Sequence, residues 1–308
     1  RDRDVTGVQT CALPILHVIS SMRNPAVRIY KQSVTRGLPH YVPLEGIRLV
    51  EDALAAGIPL DTLYLSEGID VSAGAVGGRI LAQARRAGAK VVLVSGSVSE
   101  RMADTRTPQG VFALAHWEPL SGSELLARSG NGERPSFGVF LDGVSDPGNV
   151  GTIIRTAAAL GASGVAAGPK SAGLTNPKVV RASMGSMFRL PVAQISDVEG
   201  FLLRAAEFGC EVIVSDAQMG VDIERLAWPV SRSPARHGQQ EGAGLPRGLA
   251  LLVLGSEAAG VSDGVRSHAT QWVKIEMARD VESLNVAAAA AVLMYVLRQK
   301  ALAWQDGN

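Results

Sequence analysis

Three stretches of the sequence end an apolar run in a polar turn, and those turns hold the residues best suited to act on a ligand. In residues 141–161 (LDGVSDPGNVGTIIRTAAALG) an apolar strand gives way to Asp146, Pro147, Gly148 and Asn149, all turn or cap types. Ile153, Ile154, Ala157, Ala158 and Leu160 then continue as a helix. Arg155 is expected about one turn inside that helix, projected toward the strand ends where open α/β sheets bind ligands. An ordinary strand, turn and helix with a solvated arginine fits the same pattern. Residues 252–260 (LVLGSEAAG) bring one acid, Glu257, into a second turn, and residues 273–297 (VKIEMARDVESLNVAAAAAVLMYVL) bring Ser283 and Asn285 to the start of an Ala-rich helix. There Ser283 is suited to capping and Asn285 to the helix surface.

Other chemistries find no such support. The second half has no G-x-G-x-x-G after its first strand, which disfavours a nicotinamide-dependent oxidoreductase, and the chain has neither a phosphate-binding G-x-x-x-x-G-K-[ST] nor a G-x-S-x-G elbow. His17, His40, His116, His237 and His268 are scattered. Cys11 and Cys210 stand far apart, with no Cys or His at ligand spacing, so neither a metal nor a disulfide framework is expected and the compartment suggested is the reducing cytoplasm.

The elements that must position these turns follow from pattern and length. A chain of 308 residues, 46% hydrophobic and 19% charged, suggests about two globular domains. Its longest apolar run, residues 286–297, is shorter than the roughly 20 residues of a membrane span. Residues 5–15 (VTGVQTCALPI) look like the in-frame translation of a common sequencing adapter, so residues 1–15 are set aside as an artefact, with an authentic N-terminus then missing. Residues 16–116 read as a small α/β unit, with helices at 44–56 and 79–87 and strands at 63–65 and 91–94. Residues 117–135, rich in Ser, Gly, Pro and Glu, are expected to be a linker. Strands at 138–141, 164–167, 211–215, 250–254 and 272–275 alternate with helices through residues 136–308, the pattern of a doubly wound, mostly parallel sheet, and residues 229–248 read as an exposed loop.

In order and spacing, the three polar blocks resemble the SpoU/TrmH family of the SPOUT superfamily, RNA ribose 2′-O-methyltransferases. Asp146, Pro147, Asn149, Gly151, Arg155, Thr156 and Ala157 match the first motif; Gly255, Glu257 and Gly260 the second; and Ile275, Met277, Ser283, Leu284, Asn285 and Val286 the third. Asn24, Pro25, Glu45, Gly46, residues 48–53 (RLVEDA) and residues 108–111 (PQGV) resemble the family's L30e-like substrate-binding domain. The resemblance implies a C-terminal trefoil knot with a Rossmann-like parallel sheet, a homodimer through the last helix, and S-adenosylmethionine bound by Ser215, Ala217, Leu254, Gly255, Ile275, Met277 and Leu284. It implies Arg155 at the reacting ribose, with Asn149, Glu257, Ser283 and Asn285 orienting the hydroxyl or holding the turns. Glu276 stands where the family usually has proline, and Arg279 and Asp280 fill a turn that usually carries glycine, so the effect of both on cofactor binding is open.

The whole chain is near neutral at +1, yet residues 170–191 (Lys170, Lys178, Arg181, Arg189) and residues 22–48 (Arg23, Arg28, Lys31, Arg36 and Arg48 against Glu45) each carry +4. Beside that resemblance, Arg23, Arg28, Lys31, Arg48, Lys178 and Arg181 are expected to meet RNA phosphate. Structured RNA, ribosomal rather than transfer RNA, is the expected substrate, and an RNA-binding knot protein without methylation is the alternative.

Overall fold

The computed structural model describes residues 17–129, 135–229 and 248–306. The adapter-like stretch, Cys11 and all but the ends of the 229–248 segment lie outside them.

Five strands, β1 (Val18–Ile19), β2 (Tyr41–Glu45), β3 (Leu60–Ser66), β4 (Lys90–Val94) and β5 (Val111–His116), form an N-terminal mixed sheet in the order β1-β4-β3-β5-β2. Helices α1 (Pro25–Arg36), α2 (Ile47–Ala55), α3 (Val76–Arg86) and α4 (Gly96–Met102) accompany it. The helix expected from residue 44 begins only at Ile47, because Gly46 turns the chain at φ +103° and Leu44 is a fully buried strand residue. The Gln109 side chain accepts from Ile47 N at 2.9 Å and so takes the place of a local cap.

The C-terminal sheet contains β6 (Ser136–Asp142), β7 (Val165–Ala167), β8 (Val192–Gln194), β9 (Glu211–Ser215), β10 (Val221–Asp222), β11 (Leu249–Gly255) and β12 (Gln271–Lys274) in the order β10-β12-β9-β11-β6-β7-β8. Every pairing in it is parallel. Its helices are α5 (Gly122–Ser129), α6 (Pro147–Leu160), α7 (Pro177–Ala182), α8 (Val198–Glu207), α9 (Asp263–His268) and α10 (Val286–Asp306). One face of the sheet buries Ile153, Ile154, Leu293 and Leu297, the other Phe201, Leu202 and Val265, as expected of a parallel sheet covered on both sides.

The expected linker holds a helix. Ser121 and Glu124 form a capping box, with Glu124 Oε2 accepting from Ser121 N at 2.8 Å and Ser121 Oγ at 2.7 Å, and this starts α5 within a Ser/Gly-rich stretch. Leu125 and Leu126 then bury in the second core. The last helix begins at Val286, where the apolar run of residues 286–297 also begins. It is long and apolar enough to cross a membrane, but Ala290, Leu293, Met294 and Leu297 are fully buried, while Val292, Tyr295 and Leu302 stay exposed.

The two sheets meet at the segment around α7. Arg181 reaches Asp104 at 2.6 Å and Glu45 at 3.9 Å, and Arg189 reaches Asp52 at 2.8 Å. Glu45 also accepts from the backbone of Asp104 and Thr105, so the end of β2 is tied to both partners. Arg181, expected to face RNA, is instead spent on this junction.

Close contact of α6 with α7 depends on Gly151, where an added Cβ would lie 2.5 Å from both Ala182 Cβ and Val179 O. Gly151→Ala gains about 1 kcal/mol of helix propensity but overpacks a backbone contact, so a net loss of about 1–2 kcal/mol is expected in a denaturant titration. An unchanged midpoint would show that the two helices have room to part.

Candidate active-site cleft

All seven parallel strands present their C-terminal ends on one side, and the register pairs Gly255 directly with Asp142. The turns after β6 and β11 therefore leave the sheet side by side. Between them opens a cleft of about 380 Å³, lined by residues 142–146, Asn149, Pro169, Lys170, residues 256–262 and Val286. Strand ends of an open sheet are where such folds take ligands.

Each turn is held by its own polar groups. Asp146 caps α6 by accepting from Asn149 N at 2.8 Å, with Pro147 in the first turn. Beyond β11, Ser256 and Gly260 exchange both backbone hydrogen bonds, at 2.9 and 3.0 Å, and close the loop that carries Glu257. Asp142 is 7% exposed and accepts from Ser262 N at 2.6 Å, which fastens the second turn to the end of β6. Pattern reading passed over Asp142; its signal is an acid at the end of an otherwise apolar strand.

Three of the five expected catalytic residues meet here. Asn149 Nδ2 donates to Glu257 Oε1 at 3.2 Å, and Asn285 Nδ2 donates to Asn149 Oδ1 at 3.1 Å and to Glu257 Oε1 at 3.5 Å. Asn285 Oδ1 accepts from Ala287 N at 3.0 Å and Ala288 N at 3.4 Å, so Asn285, not Ser283, caps α10. Ser283 is exposed two residues upstream. Arg155 is not where the sequence suggested. It is the ninth residue of α6, more than two turns from the cap, exposed, outside the cleft lining, and its side chain has no hydrogen-bond or ion-pair partner among the described residues.

None of the seven expected cofactor residues lines this cleft; they lie along the neighbouring strand ends. Ser215 ends β9 opposite Val273, Gly255 ends β11, and Ile275 and Met277 follow β12, both half-buried. Ala217 and Leu284 are exposed, whereas Leu254 is 1% exposed, so its side chain belongs to the core and only its backbone is offered to a ligand. Strand-end backbone groups beside part-exposed Ile, Met and Leu suit an adenosine with an aliphatic tail. Glu276 is exposed and pairs with Lys274 at 3.2 Å. Asp280 adopts φ +69°, the left-handed conformation that glycine usually supplies and that Asp tolerates better than most residues. Cys210 plays no part: burial pushes its thiol up to about 12, so it stays protonated at neutral pH.

Of the basic residues expected at RNA, Arg23, Arg28, Arg48 and Lys178 are exposed, and Lys31 is half-buried with Nζ on Met102 O at 3.4 Å.

Comparisons with known proteins bear on this arrangement. The family model described as the SpoU rRNA Methylase family matches residues 136–295, and the one described as RNA 2′-O ribose methyltransferase substrate binding matches residues 43–117. An uncharacterized tRNA/rRNA methyltransferase of Synechocystis is 30% identical over 286 residues, covering 92% of this chain and 93% of that protein. The 23S rRNA (guanosine(2553)-2′-O)-methyltransferase RlmP of Bacillus subtilis is 29% identical, covering 91% of this chain and 98% of that protein. A solved rRNA methyltransferase from Sinorhizobium meliloti, known also in an AdoMet-bound structure, superposes with a TM-score of 0.74 at 26% identity, over 92% of this chain and 98% of its own.

The dual role of Asn285 is testable without any substrate. Asn285→Ala should cost about 1 kcal/mol by thermal unfolding through loss of the cap, and Asn285→Ser should restore most of it. Equal stability of all three proteins would remove the cap from this account.

Proposed function

Since the chain belongs to the SpoU rRNA methylase family of S-adenosylmethionine-using RNA methyltransferases, we propose that it methylates a ribose 2′-hydroxyl of structured RNA, ribosomal rather than transfer RNA. The Asn149–Glu257–Asn285 cluster carries this reading, because it joins all three motif turns at the mouth of one cleft.

The sulfonium of the cofactor supplies an electrophilic methyl group. The residues must orient a poor nucleophile and receive its proton. Glu257 is fixed through Oε1 by two amides, and its Oε2 has no hydrogen bond among the described residues, which leaves an acceptor for the hydroxyl. Asn149 and Asn285 orient that carboxylate, and Ser283 supplies a further hydroxyl at the same turn. A guanidinium is a hydrogen-bond donor with no acceptor to take a proton, so Arg155 acts by holding phosphate and stabilising the developing alkoxide rather than as the base. Ser215, Ala217, Gly255, Ile275, Met277, Leu284 and the backbone of Leu254 would hold the cofactor. The outward pairing of Glu276 and the left-handed turn at Asp280 support methylation over RNA binding alone.

The placement of Arg155 outside its own cleft supports a homodimer in which each site borrows from its partner. Val281, Leu284, Val292, Tyr295 and Leu302, all partly exposed apolar residues at or near α10, supply a face for that contact. The return of the chain from β12, one strand in from the β10 edge, past β9 and β11 to pack α10 on α6 supports a knotted catalytic unit. Arg23, Arg28, Lys31, Arg48 and Lys178 would meet RNA, in the cytoplasm.

With labelled S-adenosylmethionine and ribosomal RNA, label is expected on ribose and none on bases; failure to bind the cofactor in calorimetry would return the protein to the class of RNA-binding modules. Arg155→Ala should lower turnover about 100-fold or more with cofactor affinity retained, and near-normal turnover would exclude it from the reaction. Tyr295→Glu should shift sedimentation toward monomer, whereas a wild-type protein that sediments as a monomer contradicts the shared site.

A further inference from the structure

One cation lines the cleft, and no role above uses it. Lys170 follows β7 with φ +66°, a left-handed conformation that lysine rarely adopts. Its neighbours are locked onto the turn after β6: Gly168 N donates to Leu141 O at 2.8 Å, and Ala172 N to Val144 O at 3.0 Å. Ser171 Oγ donates to Leu141 O at 2.9 Å and accepts from Gly143 N at 3.1 Å. These bonds over-determine the backbone on both sides of Lys170 and hold it in the strained state, a condition that clusters where a ligand is clamped.

Each of the three acids of the same lining is held by hydrogen bonds of its own, and none of them is paired with the lysine. Asp142 accepts from Ser262 N, Asp146 from Asn149 N, and Glu257 from the two asparagine amides. Lys170 forms no ion pair with any of them and no hydrogen bond among the described residues, and its side chain is exposed. An ammonium held beside the turns that carry the reacting groups, and not neutralised by its neighbours, suits a single negative charge arriving with the substrate. Arg181 and Arg189 of the same basic stretch are paired within the protein, so Lys170 is left as the stretch's contribution to the cleft.

Resting on the reading of this cleft as the place where a ribose is methylated, we propose that Lys170 is a positioning residue that binds the phosphodiester adjoining the target nucleotide. It sets the register of the strand in the cleft, a task separate from that of Arg155 at the reacting oxygen.

The test uses the full chain with a ribosomal RNA transcript and S-adenosylmethionine. Lys170→Gln should raise KM for RNA about five- to tenfold with kcat within about twofold. The slope of log affinity against log salt should fall by about one, with cofactor affinity unchanged. Lys170→Arg should keep most RNA affinity. Lys170→Gly relieves the backbone strain, so its unfolding midpoint should hold or rise even as RNA affinity falls, a divergence that a purely structural lysine would not give. An unaltered KM and salt slope in Lys170→Gln would overturn the proposal, as would a loss confined to cofactor binding. Should the wild-type protein neither bind nor methylate RNA, the functional reading itself falls; a competent wild type beside an unaffected variant sinks the lysine alone.

Discussion

The amide of Asn285 ties the polar cluster at the cleft to the architecture of the fold through one side chain. Its oxygen holds the first free N–H groups of α10, and its nitrogen reaches across to Asn149 and Glu257 on two other turns. A helix start, which every helix must satisfy somehow, is here satisfied by a residue that also closes the polar cluster. The cluster therefore cannot form unless α10 is docked on α6, and α10 docks by burying Ala290, Leu293 and Leu297. The geometry of the polar groups is inherited from the apolar core.

That coupling explains what the sequence revealed and what it concealed. Strands such as Glu211–Ser215 are legible because three consecutive β-branched residues, Val212, Ile213 and Val214, between breakers have few other uses, and the cap at Asp146 is legible because Asp-Pro announces a helix start. Spacing alone could not say which of Ser283 and Asn285 would cap α10, since both are good N-cap types two positions apart; tertiary contact with Asn149 decided it. Arg155 lies deeper in α6 than its spacing suggests, because the first turn of the helix absorbs Pro147, Gly148 and Asn149, which are turn and cap types. Helix α5 was hidden by a composition typical of linkers, although its Ser-x-x-Glu box was there to be read.

Charge was the least legible property. Two stretches of equal net charge looked alike in sequence, but acids distant in the chain distinguish them. Asp104, Glu45 and Asp52 of the N-terminal sheet take up Arg181 and Arg189, so half of the later basic stretch serves to join the two sheets. Local counting cannot anticipate a partner more than seventy residues away.

The place of β11 has a consequence for how the molecule comes into being. This strand lies between β6 and β9, although both precede it in the chain, and Ser136 pairs with Leu249 across more than a hundred positions. Until residues 249–255 insert, the sheet is two separate fragments with no shared ladder. Such a long loop must close before the central pairing rewards it, which makes assembly slow and leaves two raw strand edges bare meanwhile. The nascent chain passes through an aggregation-sensitive interval whose length is set by the arrival of one late, seven-residue wedge.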